Sequence, residues 1–196
     1  MKNKGLLAVI SGPAGTGKGT VVKELQKDEQ IRVSVSATTR APRGQEQNGV
    51  EYYFLSREQF EAMIRQQGFL EYAEYVGNFY GTPKKFVDEA MEQGKDVVLD
   101  IEVQGARQVH ESVPDAVMIF IIPPSMEELR RRLIRRGTDS MEAIEGRLMR
   151  ARQEYAEAEI YDYLIVNEDA DIAASEFSAI VKAEHLRTRD RLYLLK

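Results

Sequence analysis

A glycine-rich stretch near the start of the chain has the residue types and spacing of a phosphate-binding loop. Residues 12–18 read Gly-Pro-Ala-Gly-Thr-Gly-Lys, a G-x-x-x-x-G-K pattern. The glycines let backbone N–H groups turn toward one centre, a following helix adds partial positive charge, and the lysine supplies a cation for the β- and γ-phosphates. The residues predicted to bind a nucleoside triphosphate are Gly12, Pro13, Ala14, Gly15, Thr16, Gly17, Lys18, Gly19 and Thr20.

The residues on either side of this phosphate loop (residues 12–18) support the interpretation. An apolar run at 6–10 precedes the loop and a segment with helical periodicity follows it, which is the context that the pattern requires. The alternative is a strand-to-helix turn that binds no ligand, and the lysine and both flanks argue against it. Gly19 stands where the usual pattern has a serine or threonine that binds Mg²⁺, so Thr20 is the candidate hydroxyl ligand.

A second apolar run, at 96–100, ends in Asp100. An aspartate in this position orients Mg²⁺ or its bound water in many nucleotide sites. Asp100 is therefore predicted to act with Thr20 at a magnesium site. The alternative is a carboxylate that only caps the turn after the strand.

Arginines mark two further places where phosphate could bind. Arg40 and Arg43 are close enough in the chain to approach the same phosphate. The span 130–152 is also rich in arginine, and composition alone would allow a solvated pair of basic helices or a nucleic-acid patch there.

Seven motifs that follow one another along the chain resemble those of guanylate kinases. They read SxTTRxPR from Ser36, NGxxYxF from Asn48, FxEYAE from Phe69, NxYGT from Asn78, then LDIExQG, PPS and RRG. The resemblance extends from Gly5 to about Asp169. It implies transfer of the γ-phosphoryl group of ATP to GMP, with Mg²⁺ as cofactor. We also expect dGMP to be accepted, because none of the implied residues reads the ribose 2′-hydroxyl.

The resemblance also implies which side chains bind the acceptor. A carboxylate can accept from the adjacent N1–H and amine donors of guanine, while hydroxyl groups serve its O6. Adenine would present an acceptor to that carboxylate and be rejected. The implied GMP-binding residues are Ser36, Arg40, Arg43, Tyr52, Glu71, Tyr80, Thr82 and Glu102, with Glu71 as the carboxylate that recognises guanine.

On the donor side, the same resemblance singles out three arginines of the basic span. Arg132, Arg136 and Arg147 would act with Lys18 as catalytic residues that close over the ATP phosphates and the transferred group. Asn167 would lie near the adenine of ATP. The remaining arginines of the span, Arg130, Arg131, Arg135, Arg150 and Arg152, are interpreted as surface charge.

The elements that must position these residues alternate between strand and helix. Apolar runs at 6–10, 96–101, 116–122 and 163–166 are typical of parallel strands covered on both faces. Helix starts are indicated by Ser56 with Gln59, Ser125 with Glu128, and Thr82 before Pro83. These signals predict an α/β fold of the P-loop NTPase type, with a doubly wound parallel sheet.

We expect one domain, 1–196, with two insertions. The core would comprise 1–36, 82–130 and 148–196, the acceptor-binding subdomain 37–81, and a small helical lid 131–147. The alternation changes at 37–81 to small strands and a hairpin around one helix, and 131–140 has the polarity and glycine of a mobile corner.

Composition limits the remaining classes of function. The chain has 196 residues, no cysteine, two histidines and a formal net charge of −5, so disulfide frameworks and thiolate metal sites are excluded and a basic field for nucleic acid is not expected. No apolar run has membrane length. We expect a cytoplasmic enzyme that acts on small molecules, with no nucleic-acid or membrane partner and with self-association left open.

Two other functions remain open on the sequence alone. One is a nucleoside monophosphate kinase with another base preference, which Glu71 and its hydroxyl partners argue against. The other is a non-catalytic peptide-binding module, because guanylate-kinase-like scaffold domains resemble the acceptor region. Those domains lack an intact phosphate loop, whereas residues 12–18 are complete here.

Overall fold

The computed structural model of the chain describes residues 4–137 and 139–195. The predicted domain 1–196 and the predicted lid 131–147 therefore both include positions that lie outside the described residues, Thr138 among them.

The described residues form an alternating series of strands and helices. The strands are β1 (Leu7–Ser11), β2 (Ile31–Val33), β3 (Ala37–Thr38), β4 (Tyr53–Phe54), β5 (Phe69–Tyr75), β6 (Asn78–Pro83), β7 (Asp96–Asp100), β8 (Val117–Ile122) and β9 (Tyr163–Val166). The helices are α1 (Lys18–Leu25), α2 (Arg57–Arg65), α3 (Lys84–Glu92), α4 (Val103–Ser112), α5 (Met126–Arg136), α6 (Met141–Tyr155), α7 (Ala170–Glu184) and α8 (Thr188–Arg191). Short 3₁₀ helices follow α6, at Ala158–Ile160, and α8, at Leu192–Leu195.

Five of the strands form a sheet in the order β2-β7-β1-β8-β9. β2 runs parallel to β7, and β8 runs parallel to β9. All five residues of β1 are buried, and such continuous burial is typical of a parallel strand covered on both faces. The predicted α/β fold with a parallel sheet core is confirmed, although β1, β7 and β8 each differ by one residue from the predicted runs.

The chain divides into two compact units. The first comprises residues 4–9 and 30–116, and the second comprises residues 10–29 and 117–195. The predicted boundaries of the core, the acceptor-binding subdomain and the lid stay a prediction.

The first unit contains a separate four-stranded sheet in the order β4-β3-β6-β5. β6 pairs antiparallel with both β3 and β5. Phe60 of α2 is fully buried and stacks on two rings of the sheet, with centroid distances of 4.3 Å to Phe69 and 5.3 Å to Phe79. The helix is thus fixed to the sheet mainly by aromatic contacts.

The second unit contains a hydrophobic cluster between α5 and α6. Its members are buried at helical spacing: Leu129, Leu133, Ile144, Leu148 and Ala151, with Met126 packed against them. α5 ends at Arg136 and α6 begins at Met141. The described residues therefore form the helix-loop-helix corner that the polar stretch 131–140 indicates.

The helix starts show where local sequence signals succeed and where they fail. Ser56 and Gln59 form the predicted capping box, and the Ser125 side chain accepts from the Glu128 amide. The Thr82–Pro83 prediction is wrong, because Thr82 lies in β6 and α3 begins only at Lys84. Strand pairing of β6 with β5, together with the hydrogen bond from Thr82 to Glu71, outweighs the local signal for a helix start.

Within the described residues, none of the helices has both the length and the apolar character that crossing a membrane would require.

Replacing Phe60 by alanine should destabilise the protein by about 3–5 kcal/mol, because the change removes a fully buried ring and leaves a cavity between Phe69 and Phe79. Chemical denaturation followed by circular dichroism would measure the loss. The control is Tyr75→Ala, at a residue that is 58% exposed, which should change stability by about 0.5 kcal/mol or less. Equal effects of the two changes would contradict the packing described here.

Candidate active site

In the second unit, the phosphate loop connects β1 to α1 and has the backbone conformation that anion binding requires. Gly17 occupies the N-cap position of α1 with φ of +91°, and Gly12 has φ of +140°. Residues other than glycine rarely adopt these backbone conformations. In addition, a Cβ at Gly12 would lie 2.2 Å from the carbonyl oxygen of Ile121. No described side chain caps α1, so the N-terminal end of this helix remains available to a negative group.

Lys18, the first residue of α1, lies against the loop itself. Its Nζ donates to the carbonyl oxygen of Gly12 and, at 3.2 Å, to that of Pro13. The ammonium group is therefore held at the loop that precedes the helix. Gly19 and Thr20 follow it and are exposed.

Arg132 connects the phosphate loop to two other segments of the second unit. Its Nη1 donates to the carbonyl oxygen of Thr16 at 3.0 Å, and its Nη2 donates to the carbonyl oxygen of Asn167 at 2.9 Å. Its Nε donates to Glu128 Oε1 at 2.7 Å, and this hydrogen bond lowers the pKa of Glu128. All three nitrogens of the guanidinium group thus bond to the protein.

Asn167 lies directly after β9 and reinforces the same point of the loop. Its Nδ2 donates to the carbonyl oxygen of Thr16 at 2.8 Å, and the residue is only 4% exposed. A Cβ at Gly17 would lie 2.4 Å from this Nδ2. The structure therefore places Asn167 beside the phosphate loop, where its side chain supports the backbone.

The other two predicted lid arginines differ in burial. Arg136 is exposed at the end of α5. Arg147 of α6 is partly buried, and its Nη2 donates to Asp139 Oδ1 at 3.3 Å.

In the first unit, Glu71 of β5 is a buried carboxylate with a hydroxyl partner. It is 6% exposed, and Thr82 Oγ1 donates to its Oε1 at 2.7 Å. Burial raises the pKa of the carboxyl group, while hydrogen bonds from Thr82 oppose that rise. Among the described residues, no arginine or lysine forms an ion pair with it.

Strand alternation places further predicted residues on the face that carries Glu71 and Thr82. Tyr80 precedes Thr82 by two positions in β6, so the two side chains share a face about 7 Å apart. Thr38 lies directly opposite Tyr80, and Ser36 precedes Thr38 by two positions. Tyr80, Thr82 and Glu71 therefore face the same side of the four-stranded sheet, and Ser36 lies just before β3.

Arg40 follows β3 and lies near the tyrosines. Its guanidinium carbon is 5.2 Å from the ring centroid of Tyr52, whose ring meets that of Tyr80 edge-on at 6.1 Å. Glu46 accepts two hydrogen bonds from Arg40, at 2.9 and 3.0 Å, and one from the Arg43 amide at 2.7 Å. These bonds lower the pKa of Glu46. The Arg43 side chain is exposed.

The remaining predicted residues are exposed at the ends of elements. Asp100 ends β7, and Glu102 occupies the N-cap position of α4.

Three carboxylates that contact predicted site arginines are absent from the predicted set of site residues. They are Glu46 beside Arg40, Glu128 beside Arg132, and Asp139 beside Arg147. Glu128 could have been found from the sequence, because it precedes Arg132 by four residues on a predicted helix. Glu46 and Asp139 lie in irregular segments, where spacing gives no comparable signal.

Comparison with known proteins identifies the family of this chain. The family model described as guanylate kinase matches residues 4–184. A guanylate kinase of Halalkalibacterium halodurans is 54% identical over 97% of this chain and 94% of its own length. A guanylate kinase of Streptococcus pneumoniae is 52% identical over 94% of this chain and 90% of its own length.

Solved structures give the same result for the fold. A crystal structure of guanylate kinase from Anaplasma phagocytophilum matches with a TM-score of 0.77 and 40% identity, over 96% of this chain and 90% of that chain. Sequence and fold agree over nearly the whole length, and the seven motifs lie within the matched range. The chain therefore belongs to the guanylate kinase family.

Proposed function

We propose that this protein transfers the γ-phosphoryl group of ATP to GMP, giving ADP and GDP. The observation that carries the proposal is the buried carboxylate of Glu71, which has a hydroxyl partner but, among residues 4–137 and 139–195, no cationic partner. A carboxylate kept from water needs further hydrogen-bond donors. The N1–H and exocyclic amine of guanine are two adjacent donors of the right geometry.

Thr82 and Ser36 support guanine as the base. Thr82 donates its one hydroxyl proton to Glu71 and so fixes the carboxylate that would accept from guanine, whereas the hydroxyl of Ser36 would donate to O6. Adenine would direct its N1 lone pair at the carboxylate and leave buried groups unpaired. Glu102 is the second acidic residue proposed near the guanine amine.

The phosphate of GMP would bind to Arg40, Arg43, Tyr52 and Tyr80. Tyr80 lies about 7 Å along β6 from Thr82, so the phosphate would lie further along the strand than the base. Glu46 holds the guanidinium group of Arg40 in a fixed plane, which favours bidentate contacts between Arg40 and a phosphate. The geometry therefore suits a mononucleotide that lies along the face of the sheet.

The triphosphate of ATP would bind to residues 12–20, with Lys18 contacting the β- and γ-phosphates. The backbone of the phosphate loop and the uncapped start of α1 support this role. Arg136 and Arg147 would contact the transferred group. Arg132 and Asn167 would act from beside the loop, since both bond to its Thr16 carbonyl oxygen.

The residues proposed to bind magnesium are Thr20 and Asp100, and both offer exposed oxygen atoms. Oxygen donors fit Mg²⁺, which is usually bound by one or two protein ligands together with substrate phosphates and water. Such an ion would arrive with the nucleotide. Bound in this way, Mg²⁺ would neutralise charge on the β- and γ-phosphates.

The reaction does not require a dedicated base. The second pKa of a phosphate monoester is about 6, so GMP is mostly a dianion at neutral pH and its oxygen can attack the γ-phosphorus directly. The task of the protein is to align the two phosphates and to neutralise their charge.

We further propose that dGMP is accepted, that the enzyme serves purine nucleotide recycling in the cytoplasm, and that it acts without nucleic-acid or membrane partners.

The first test is the formation of nucleoside diphosphate from ATP and Mg²⁺ with GMP, dGMP, AMP, CMP, UMP or dTMP as acceptor. The kcat/KM for GMP should exceed that for monophosphates whose bases lack the paired donors of guanine by about 10³-fold or more. The deoxynucleotide dGMP should also react. Turnover of a different base would overturn the guanine assignment. ATP binding without any turnover would instead favour the peptide-binding module.

Glu71→Gln should lower kcat/KM for GMP by about 10²-fold, because it replaces a charged acceptor of two hydrogen bonds by an amide. The KM for ATP should stay within about twofold. Thermal stability near pH 7 should not fall, since an amide avoids the cost of burying a charge. A loss of ATP affinity equal to the loss for GMP would contradict a role for Glu71 in base recognition.

The same pair of proteins tests the pKa of Glu71. Because burial raises this pKa in the folded state, the carboxylate becomes protonated at a higher pH than an ordinary glutamate as the pH falls. As the pH falls, the KM for GMP of the unaltered protein should then rise toward the KM of Glu71→Gln. The KM of Glu71→Gln divided by the KM of the unaltered protein should therefore decrease. The ratio removes the titration of the GMP phosphate, which affects both proteins alike. Folding stability should respond in the other direction from GMP binding. Because the folded state binds the proton more readily than the unfolded state, the free energy of unfolding rises as the pH falls through the raised pKa of Glu71.

Arg132→Lys should raise the KM for ATP about tenfold, because lysine keeps the charge but cannot bond to the Thr16 and Asn167 carbonyls and to Glu128 at once. The control is Arg131→Lys on the same helix, at a side chain that is 75% exposed and pairs only with Glu128 among the described residues. That change should alter the KM by about twofold or less. Equal responses of both variants would show that Arg132 contributes only charge.

A further inference from the structure

Helix α4 packs against β5, the strand that carries Glu71. The buried face of α4 consists of Val103, Gly105, Ala106 and Val109. A glycine in this position needs a reason, since glycine lowers the stability of a helix interior relative to alanine. The motif LDIExQG ends in this glycine.

The space beside Gly105 is filled by the carboxyl group of Glu71. A Cβ at position 105 would lie 2.6 Å from Glu71 Oε2, 3.1 Å from Cδ and 3.4 Å from Cγ. These are the three nearest atoms to that position, so the requirement for glycine comes from Glu71 itself. A methyl group there would push the carboxylate away or force it to rotate.

Gln108, one helical turn further along α4, fixes the backbone next to Glu71. Its Oε1 accepts from the Tyr72 amide at 3.1 Å, and its Nε2 donates to the Tyr72 carbonyl oxygen at 2.8 Å. β5 is an edge strand of the four-stranded sheet, so the amide of Gln108 acts at this residue as a neighbouring strand would. The distance between α4 and β5 is thereby set at the position of the carboxylate.

The two contacts complete the restraint on Glu71. Thr82 holds Oε1 from β6, and Gly105 leaves Oε2 only the room that it occupies. Hydrogen-bond energies fall steeply when donor and acceptor are displaced by as little as half an ångström, so the two donors of guanine would be matched only while this position is kept.

We propose that Gly105 and Gln108 are positioning residues for guanine recognition. Gly105 provides the space in which the Glu71 carboxylate lies, and Gln108 holds β5 at the required distance. The proposal rests on the role of Glu71 given under the proposed function.

The first test is Gly105→Ala. The KM for GMP should rise about tenfold or more while the KM for ATP stays within about twofold. The thermal midpoint should not fall by more than a few degrees, because alanine favours the helix and the carboxylate can move. Gly146→Ala serves as the thermal control, since Gly146 is also helical and a Cβ there would have nothing within 4 Å.

A double variant shows whether the effect acts through the carboxylate. Glu71→Asp withdraws the carboxyl group by one methylene and vacates the space that the methyl group needs. Adding Gly105→Ala to Glu71→Asp should then change the KM for GMP by twofold or less, although Gly105→Ala alone raises it about tenfold. Multiplicative effects in the double variant would overturn the proposal, because they would show that Gly105 acts independently of Glu71.

Gln108→Ala gives a separate test that does not depend on how Gly105→Ala folds. It should raise the KM for GMP by about threefold to tenfold without changing the KM for ATP. The control is Gln104→Ala, at an exposed position of the same helix, which should change neither constant. An unchanged KM for GMP in Gln108→Ala, or equal rises for both substrates, would contradict the assigned role.

The failures of the two proposals are distinguishable. If Glu71→Gln leaves the KM for GMP unchanged, the proposed base recognition fails. If Glu71→Gln raises that KM and Gly105→Ala does not, only the inference about Gly105 fails.

Discussion

A carboxylate with little access to water is the constraint on which the first unit of this protein depends. Such a group needs hydrogen bonds or a cation. Glu71 accepts a hydrogen bond from the Thr82 hydroxyl and forms no ion pair among the described residues. The consequences extend through the surrounding elements. β6 must run far enough to bring Thr82 opposite Glu71, and α4 must present a residue without a side chain. Under the proposed function, the cost of burying this charge would make the site selective, because only a ligand with matching donors would remove it.

A related principle applies to three of the predicted site arginines, each of which has a carboxylate partner. Glu46 holds Arg40, Glu128 holds Arg132, and Asp139 contacts Arg147. A long flexible side chain loses rotamer entropy when it binds phosphate, and an arginine that is already oriented loses less. Exposed ion pairs stabilise a fold only slightly, so these carboxylates matter chiefly through the direction in which they hold the guanidinium groups.

Much of the fold follows from the sequence, for identifiable reasons. The phosphate loop, the apolar strands and the caps at Ser56 and Ser125 are local patterns whose physical causes lie within a few residues of each other. The local signal at Thr82 and Pro83 predicts a helix start one residue too early, because pairing of β6 with β5 extends the strand to Pro83 before α3 begins at Lys84. The contacts of Arg132 with Thr16 and Asn167 were beyond prediction for the same reason, since they join segments that are distant in the chain. Motif resemblance supplied residue roles that no spacing could give, but it gave no reason for Gly105.

The shared carbonyl oxygen of Thr16 has a consequence for the order of folding. Its two side-chain partners, Arg132 and Asn167, follow it by 116 and 151 residues. During synthesis at roughly 5–20 residues per second, the phosphate loop leaves the ribosome long before either partner exists. Contacts of such sequence separation form late and slow the approach to the native state. The phosphate loop is therefore completed long after it is made, because a nascent chain can form both contacts of the Thr16 carbonyl oxygen only once β9 and Asn167 have been added.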